Sequence, residues 1–262
     1  MKYRCSLSIL QVRLLVLSVL LAGLLRPADS LAQTPADSLS REWRGETFHA
    51  RQLIAPGALM VVGAWGVSNG FAKKVKNEVK DGLADLRGNH YLHFDDYVQY
   101  TPFVAFEVLD FCGVKGKHSF RERVAMGATA WAINGLIVQV PKRIFREKRP
   151  DTDSRNSFPS GHTTTAFMGA ELVRAEYGNA AGIPAYVVAT GIAFMRMYNE
   201  RHWLNDVIAG AGCGIFAAQA ARWLLPLERR LLGWKREGDR QLMVVPTVMD
   251  GGEPGLSLVV GF

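Results

Sequence analysis

Cysteine is scarce in this sequence. The 262 residues contain three cysteines, Cys5, Cys112 and Cys213, and no CxxC spacing. An odd set without paired spacing excludes a disulfide framework and a cysteine-based zinc site as organisers of the fold. No cysteine follows the run Leu20-Leu21-Ala22-Gly23, so a lipoprotein anchor is not expected.

Acidic residues are also fewer than basic ones. Aspartate plus glutamate number 24 against 31 lysines and arginines, while 48% of the residues are apolar and the mean hydropathy is +0.04. This composition excludes a disordered chain and indicates that the apolar residues are clustered. The basic excess suits an anionic partner, but composition alone does not choose among nucleic acid, acidic lipid and phosphate.

The N-terminus has the pattern of a secretory signal. Basic residues up to Arg13 precede an apolar run, 14–25, and Ser30-Leu31-Ala32 supplies small residues for cleavage. The run is shorter than the roughly 20 residues of a membrane span. We therefore predict a signal peptide at 1–32 and a polar linker at 33–51, with an uncleaved anchor as the alternative.

Six apolar segments follow, and all are predicted to be helices. They predict an all-α bundle in a domain covering residues 52–234. The charges of the fourth segment, Glu171, Arg174 and Glu176, must face the bundle interior or an aqueous boundary. Prolines, among them Pro141 and Pro184, are expected in the turns. The segments are 53–72, 100–114, 124–140, 163–177, 181–198 and 204–225.

The tail, residues 235–262, has a different pattern. Residues 241–248 and 255–262 alternate in polarity around the turn-forming Asp250-Gly251-Gly252. Two strands cannot close a membrane barrel. The pattern therefore predicts a short β-hairpin that packs on the domain.

Three clusters carry the chemistry: 142–150, 157–163 and 196–206. Lys142, Arg149 and Arg196 supply positive charge for a phosphoryl group. Ser160 is placed to cap a helix that starts near His162, so the backbone amides of Ser160, Gly161 and His162 can point at an oxyanion.

The third cluster also contains a histidine that precedes an aspartate by four residues. On a helix, His202 and Asp206 would share a face, which makes His202 the candidate nucleophile. In contrast, Asp95 and Asp96 with His90 and His93 lack a known metal-ligand spacing and are predicted to form a solvated loop. Neither a metal nor a cofactor is expected.

This arrangement resembles the type 2 phosphatidic acid phosphatase (PAP2) superfamily, whose motifs are K-x6-R-P, P-S-G-H and S-R-x5-H-x3-D. Lys142 with Arg149-Pro150 matches the first motif, and Pro159 to His162 matches the second. Arg196, His202 and Asp206 match the third, although Met195 stands where the family usually has Ser. The intervening residues look like the bacterial membrane branch that contains lipid A 4′-phosphatases.

The resemblance implies a membrane-embedded helical bundle and a metal-independent phosphatase. It assigns a phosphohistidine intermediate to His202 and makes His162 the acid that protonates the leaving oxygen. The implied partner is a phosphorylated lipid, most simply lipid A, and not nucleic acid. The implied location is the bacterial inner membrane with the site facing the periplasm.

Several other functions remain open from the sequence. The same site could serve undecaprenyl diphosphate or phosphatidylglycerol phosphate. A soluble periplasmic non-specific acid phosphatase shares the motifs and a cleaved signal. A vanadate-dependent haloperoxidase and an inactive lipid-binding scaffold are the remaining alternatives.

The predicted number of membrane crossings conflicts with the expected position of the motif loops. If a cleaved signal leaves residue 33 outside and all six segments cross, the motif loops fall in the cytoplasm. The basic residues of 73–87 predict that the first segment ends in the cytoplasm. The second segment, about 22 Å long with Glu107 and Asp110 inside it, is then predicted not to cross. The basic residues of 222–236 predict a cytoplasmic C-terminus.

Overall fold

The computed structural model describes residues 48–234 and the backbone of 241–248 and 254–261. The predicted signal peptide, 1–32, lies outside these residues, as does the predicted linker up to residue 47. The chain divides into two compact units, one that ends at Leu225 and another that begins at Pro226.

Residues 48–234 are built from helices and turns and contain no strand, which confirms the predicted all-α domain. Short 3-10 helices cover Ala50–Leu53 and Leu109–Cys112. The α-helices of this range are α1 Ile54–Ser68, α2 Gly70–Arg87, α3 Asp95–Val98, α4 Thr101–Val108, α5 Phe120–Phe145, α6 Gly161–Tyr177, α7 Asn179–Tyr198 and α8 Leu204–Leu231.

Four helical stretches in the described residues are long and apolar enough to cross a membrane. They present apolar side chains outward, among them Val61, Leu136 and Val187, each at least two-thirds exposed. Such side chains are stable in contact with lipid and unfavourable in water. The four stretches are Ala50–Ser68, Phe120–Phe145, Asn179–Tyr198 and Leu204–Leu231.

In the tail, the backbone of β1, Gln241–Val248, pairs antiparallel with β2, Pro254–Gly261. The register places Gln241 opposite Gly261 and Val248 opposite Pro254. The turn that the sequence analysis singled out lies outside the described residues. The packing of this hairpin on the domain stays a prediction.

Glycines on α8 allow two other helices to approach it closely. A Cβ on Gly212 would lie 2.6 Å from the carbonyl oxygen of Pro56 on α1. A Cβ on Gly214 would lie 2.3 Å from the carbonyl oxygen of Thr164 on α6. Since backbone atoms cannot retreat as side chains do, small residues are required along this contact.

The second apolar segment lies along α6 inside the bundle and is not one of the four membrane-length stretches, so its failure to cross the membrane stays a prediction. Asp96, before it, bonds to His162 at the start of α6. Midway, the carbonyl of Phe106 accepts a hydrogen bond from the hydroxyl of Tyr177 at the end of α6. Glu107 is buried inside the bundle, so this segment carries the carboxyl group without exposing it to lipid.

We call the end of the bundle that holds the motif loops the site end, and the other the distal end. Helix α8 starts at the site end and reaches Trp223 after 19 residues, about 28 Å. Trp223 donates a hydrogen bond to Gln52 (3.0 Å). Residue 52 therefore lies at the distal end, and the first segment runs from there to the site end.

Helix α2 lies at the site end, and the sequence analysis missed it. The first segment stops at Ser68, where the side chain of Asn69 accepts hydrogen bonds from Phe71 and Ala72 and starts a new helix. Lys76 of α2 pairs with Glu147 of the first motif loop. The basic residues of 73–87 thus lie on the same side as the motif loops, and the prediction that they lie opposite them is wrong.

The fourth segment turns its charges into the bundle, as expected. In α6, Glu171 accepts hydrogen bonds from Arg174 and Tyr186, and Glu176 contacts the His118 ring. Pro141 and Pro184, by contrast, lie inside α5 and α7 and not in turns. Both are near a helix end, where a missing hydrogen bond disturbs fewer residues than in the middle.

Candidate active site

The three sequence clusters meet at the site end. The first runs from the end of α5 into the loop 146–160, and the second from that loop into the start of α6. The third spans the end of α7, the turn before α8 and the first turn of α8. The backbone amide of Ser160 donates to the carbonyl of Asp206 (3.0 Å), and the Trp203 indole donates to the carbonyl of Lys148 (2.7 Å). Residues 55 apart in sequence, Lys148 and Trp203, are thereby held in one site.

His202 and Asp206 are adjacent, although His202 does not lie on a helix. It occupies the turn before α8, and Asp206 lies in the first helical turn. The Nδ1 atom of His202 is 3.4 Å from Oδ2 of Asp206 and 3.4 Å from the hydroxyl oxygen of Ser157. Since these described contacts involve Nδ1, Nε2 is the ring nitrogen left for a substrate.

Asp206 is held firmly in place. Its Oδ2 accepts a hydrogen bond from the Ser157 hydroxyl and from the Trp203 backbone amide (2.9 Å), and its Oδ1 accepts one from the Asn205 amide (3.1 Å). Ser157 and Asn205 are site residues that the sequence analysis did not assign. Their position next to the Pro-Ser-Gly-His segment and next to Asp206 is the signal that could have found them.

Positive charge surrounds the buried His202 ring. Burial, followed by the nearby Arg196, Arg149 and Lys142, holds the pKa of His202 well below its usual range. The imidazole is therefore neutral at physiological pH, which is the form that can act as a nucleophile. The three predicted phosphate-binding cations are thus assembled around this ring.

Asn156 fixes two of these cations in the loop. Its backbone carbonyl accepts a hydrogen bond from Lys142, and its side-chain oxygen accepts one from Nε of Arg149 (2.8 Å). Because Arg149 uses Nε for this bond, its terminal nitrogens are left for an anion.

The start of α6 differs in part from the expectation. Ser160 is the residue before the helix, but its side chain makes no capping hydrogen bond, and its amide is used by Asp206. Gly161 and His162 head the helix, where the backbone N–H groups have no intrahelical acceptor. The predicted oxyanion contacts are therefore reduced to these two amides.

Arg196 and His162 both contact carboxylates, which corrects the prediction that Asp95 and Asp96 lie in a solvated loop. The Nη1 atom of Arg196 is 2.6 Å from Oδ2 of Asp95 and 3.2 Å from Oδ1 of Asp96. The same Oδ1 of Asp96 is 2.8 Å from Nε2 of His162. Asp95 is buried and Asp96 is about one-third exposed.

The Asp96 carboxylate also indicates where the proton of His162 lies. The hydrogen bond from His162 lowers the pKa of Asp96, so this carboxylate is ionised and can only accept. Nε2 of His162 therefore carries a proton. Sequence reasoning missed this contact because 66 residues separate the two side chains.

A second cluster of polar side chains, formed by Glu147, Lys76 and Asn205, lies next to Asp206. Glu147 pairs with Lys76 and accepts a hydrogen bond from the Asn205 amide (2.9 Å), and the Lys76 ammonium lies 4.8 Å from the centre of the Trp203 ring. Burial and the neighbouring Asp206 carboxylate raise the pKa of Glu147 to about 7 despite Lys76. These contacts fasten α2 to the motif loops.

Two further observations describe what the site can bind. In the described residues, no group of three or more His, Cys, Asp or Glu side chains is placed to hold a metal ion. The Nε atom of Arg196 is buried and has no hydrogen-bond partner in this structure. A buried donor of this kind is unfavourable until an acceptor such as a phosphate oxygen occupies the site.

This chain is similar in sequence to known phosphatases. The model of the PAP2 superfamily matches residues 124–230. A lipid A 1-phosphatase of Porphyromonas gingivalis is 33% identical over 182 residues, which cover 64% of this chain and 41% of the relative. A decaprenylphosphoryl-5-phosphoribose phosphatase of Mycobacterium tuberculosis is 34% identical over 104 residues, covering 36% of this chain and 56% of the relative.

A lipid A 1-diphosphate synthase of Escherichia coli is 30% identical over 79 residues, covering 30% of this chain and 33% of that protein. This chain thus spans from a third to just over half of the length of these relatives. The crystal structure of a transmembrane PAP2-type phosphatidylglycerolphosphate phosphatase from Bacillus subtilis matches with a TM-score of 0.49 and 19% identity, covering 70% of this chain and 98% of that one.

Proposed function

Since residues 124–230 form a PAP2 superfamily domain, we propose that this protein is a membrane phosphatase that removes a phosphomonoester from a lipid, with lipid A as its substrate. The observation that carries the proposal is the neutral His202 ring. Asp206 lies at its Nδ1, and Lys142, Arg149 and Arg196 surround it. A neutral nucleophile among cations suits a substrate that brings negative charge.

The proposed reaction has two steps. Nε2 of His202 attacks phosphorus, the bond from phosphorus to the leaving oxygen breaks, and His162, as an imidazolium, gives its Nε2 proton to that oxygen and becomes neutral. Water then attacks the phosphohistidine, the bond from phosphorus to Nε2 of His202 breaks, neutral His162 takes a proton from the water, and inorganic phosphate leaves. In the first step the leaving oxygen replaces Asp96 as the acceptor of the His162 proton.

Lipid A is proposed as the substrate because a relative that matches over 182 residues is named a lipid A 1-phosphatase. The exposed apolar side chains of α1, α5 and α7 support a lipid substrate over a soluble phosphate ester. Undecaprenyl diphosphate and phosphatidylglycerol phosphate present the same phosphoryl chemistry and are the competing substrates.

The test compares phosphate release by the purified protein from lipid A, undecaprenyl diphosphate and phosphatidylglycerol phosphate. We expect the highest kcat/KM on lipid A, unchanged activity in EDTA, and no activity for His202→Ala. A higher kcat/KM on either competitor would replace lipid A as the substrate. Loss of activity in EDTA that magnesium or zinc restores would contradict the metal-independent mechanism.

The intermediate has a separate test. With 32P-labelled substrate and a rapid quench, label should remain on the wild-type protein in an acid-labile, base-stable form, as expected for a nitrogen–phosphorus bond. His162→Ala should retain the label, and His202→Ala should not. Label on His202→Ala would assign the nucleophile to another residue.

A further inference from the structure

A cavity of about 490 Å³ opens beside the proposed catalytic site, and its lining is almost entirely cationic. Lys142 and Arg149 form its inner wall and belong to the site already described. Its outer wall consists of Arg143, Arg146 and Arg155, together with Gln139 and Asn156, and the lining contains no carboxylate.

In the described part of the chain, no ion pair joins Arg143, Arg146 or Arg155 to a carboxylate. The neighbouring Asp151 pairs with Arg201, and Asp153 pairs with Lys148 and lies close enough to Arg155 for the two charges to attract each other. Clustered cations that lack a paired carboxylate repel one another, which favours a bound anion. One phosphoryl group at His202 is already served by Lys142, Arg149 and Arg196. The three outer arginines of the cavity are therefore available for another anion.

The backbone at Arg146 supports the same conclusion. This residue ends α5 in the left-handed conformation (φ 48°, ψ 37°), where glycine or asparagine is usual. An arginine here is unfavourable for the backbone, and its side chain lines the cavity. A strained residue that contributes a charge to a cavity is typical of a binding site.

An apolar stripe of α5 adjoins the cavity. Leu136, Val140 and Ile144 recur every four residues and are 52–69% exposed. Because successive residues on a helix are about 100° apart, Gln139 and Arg143 lie roughly 60° to one side of this stripe. A ligand with hydrocarbon chains along the stripe would bring its polar headgroup to the level of the arginines.

We propose that this cavity, formed by Arg143, Arg146 and Arg155, binds a second phosphate of the lipid substrate while the first lies at His202. The proposal rests on the proposed function and makes it more specific, because it selects lipids that carry two phosphates. The second phosphate can stand elsewhere on the headgroup or be joined to the first as a diphosphate.

The test uses the double variant Arg143→Gln/Arg155→Gln in neutral detergent micelles, which remove the attraction of an anionic membrane. The substrates are two lipid A forms with the same acyl chains and the same scissile phosphate, of which only one carries the second phosphate. We expect kcat/KM to fall about tenfold or more on the bisphosphorylated form, mainly through KM, and at most about threefold on the monophosphorylated form. An isoprenoid diphosphate and its monophosphate, compared in the same way, distinguish the two positions of the second phosphate.

Lys73→Gln/Lys74→Gln is the matched control, because it removes two exposed charges from the same end of the molecule, outside the cavity. It should leave the ratio of the two substrates unchanged. Equal losses of the arginine variant on both lipid A forms and on both isoprenoids, or no loss on any of them, would overturn the proposal.

Binding of the two lipid A forms to His202→Ala, with and without the arginine substitutions, gives a second readout that does not need turnover. If the wild type hydrolyses neither form, the proposed function fails. The ratio of the two dissociation constants still decides whether the cavity recognises a second phosphate.

Discussion

At the scale of single residues, His162 and His202 are placed for different roles. His162 holds its proton on Nε2 toward Asp96, whereas His202 is neutral and has its Nδ1 beside Asp206. An acid that protonates a leaving oxygen matters little when the leaving group is already a weak base. A nucleophile is needed whatever departs.

We therefore expect His162→Ala to recover much of its activity on p-nitrophenyl phosphate relative to an alkyl or sugar phosphate, and His202→Ala to recover on neither. The measurement is kcat/KM of both variants on both substrates, because the ratio of ratios separates the acid role from a general loss of binding. Equal defects of His162→Ala on the two substrates would refute its role as the acid. Rescue of His202→Ala would reverse the two roles.

Glu147 gives a prediction about pH. Its carboxyl ionises near 4.5 in an unfolded chain and near 7 in the folded protein. Between these values the folded state binds more protons than the unfolded state, so this residue's contribution to stability falls as the pH rises. The thermal midpoint in detergent should fall from pH 5 to 7.5 by more in the wild type than in Glu147→Gln.

Glu78→Gln is the control for this pH effect, because Glu78 is exposed and its contact with Lys74 is long (3.9 Å). Its pH dependence should match that of the wild type. A Glu147→Gln profile parallel to the wild-type profile would show that Glu147 does not titrate in this range.

At the scale of the elements, the contact of α8 with α6 fixes the second motif against the third. A Cβ on Gly210 would lie 2.8 Å from the carbonyl oxygen of Ser160, whereas a Cβ on Gly191 of α7 would meet no atom within 4 Å. The first substitution must displace backbone that the site depends on, and such overpacking typically destabilises by about 1–3 kcal/mol. The second improves helix propensity without a clash.

We expect Gly210→Ala to lower kcat by about tenfold or more, because an error of about 1 Å at the reacting atoms has an effect of this size or larger. Gly191→Ala should keep wild-type kcat and thermal stability. Both are measured on the same substrate in the same detergent. Wild-type kcat in Gly210→Ala would show that the contact between α8 and the Ser160 loop does not set the site geometry.

The sequence predicted the long helices because their apolar runs are continuous. It missed α2, whose apolar residues Val75, Val79 and Leu83 recur every four positions among many charges. This four-residue period predicts a helix even though the segment contains no continuous apolar run.

The sequence brought His202 and Asp206 together because their contact is local. It did not reveal the roles of Asp95 and Asp96, because their contacts with Arg196 and His162 join residues far apart in sequence.

At the scale of the whole molecule, the described residues up to Leu225 pass between the two ends of the bundle six times. The first passage starts from Gln52 at the distal end, and the last returns to Trp223 beside it. A periplasmic site would therefore place residues 52 and 223 in the cytoplasm. That arrangement disagrees with a cleaved signal that delivers residue 33 to the periplasm, and the cytoplasmic C-terminus stays a prediction.

This topology is tested with single cysteines. Cys112 is exposed near the distal end, and Thr152 is exposed in the motif loop. With the other cysteines replaced by serine, a membrane-impermeant thiol reagent should label Thr152→Cys in intact spheroplasts and label Cys112 only after permeabilisation. Labelling of both from outside would show that the second segment does not cross, and the reverse pattern would place the site in the cytoplasm.

The position of Asp96 has a consequence for turnover. Its carboxylate contacts Arg196 and His162, the groups that the proposed mechanism assigns to the phosphate and its leaving oxygen, so substrate entry is an exchange of one anion for another. The same exchange runs backwards when the reaction ends, and the returning carboxylate helps to expel inorganic phosphate. We expect Asp96→Asn to be inhibited by its product at lower phosphate concentrations than the wild type, whereas Asp81→Asn, which alters an exposed carboxylate outside the motif loops, should keep the wild-type inhibition constant.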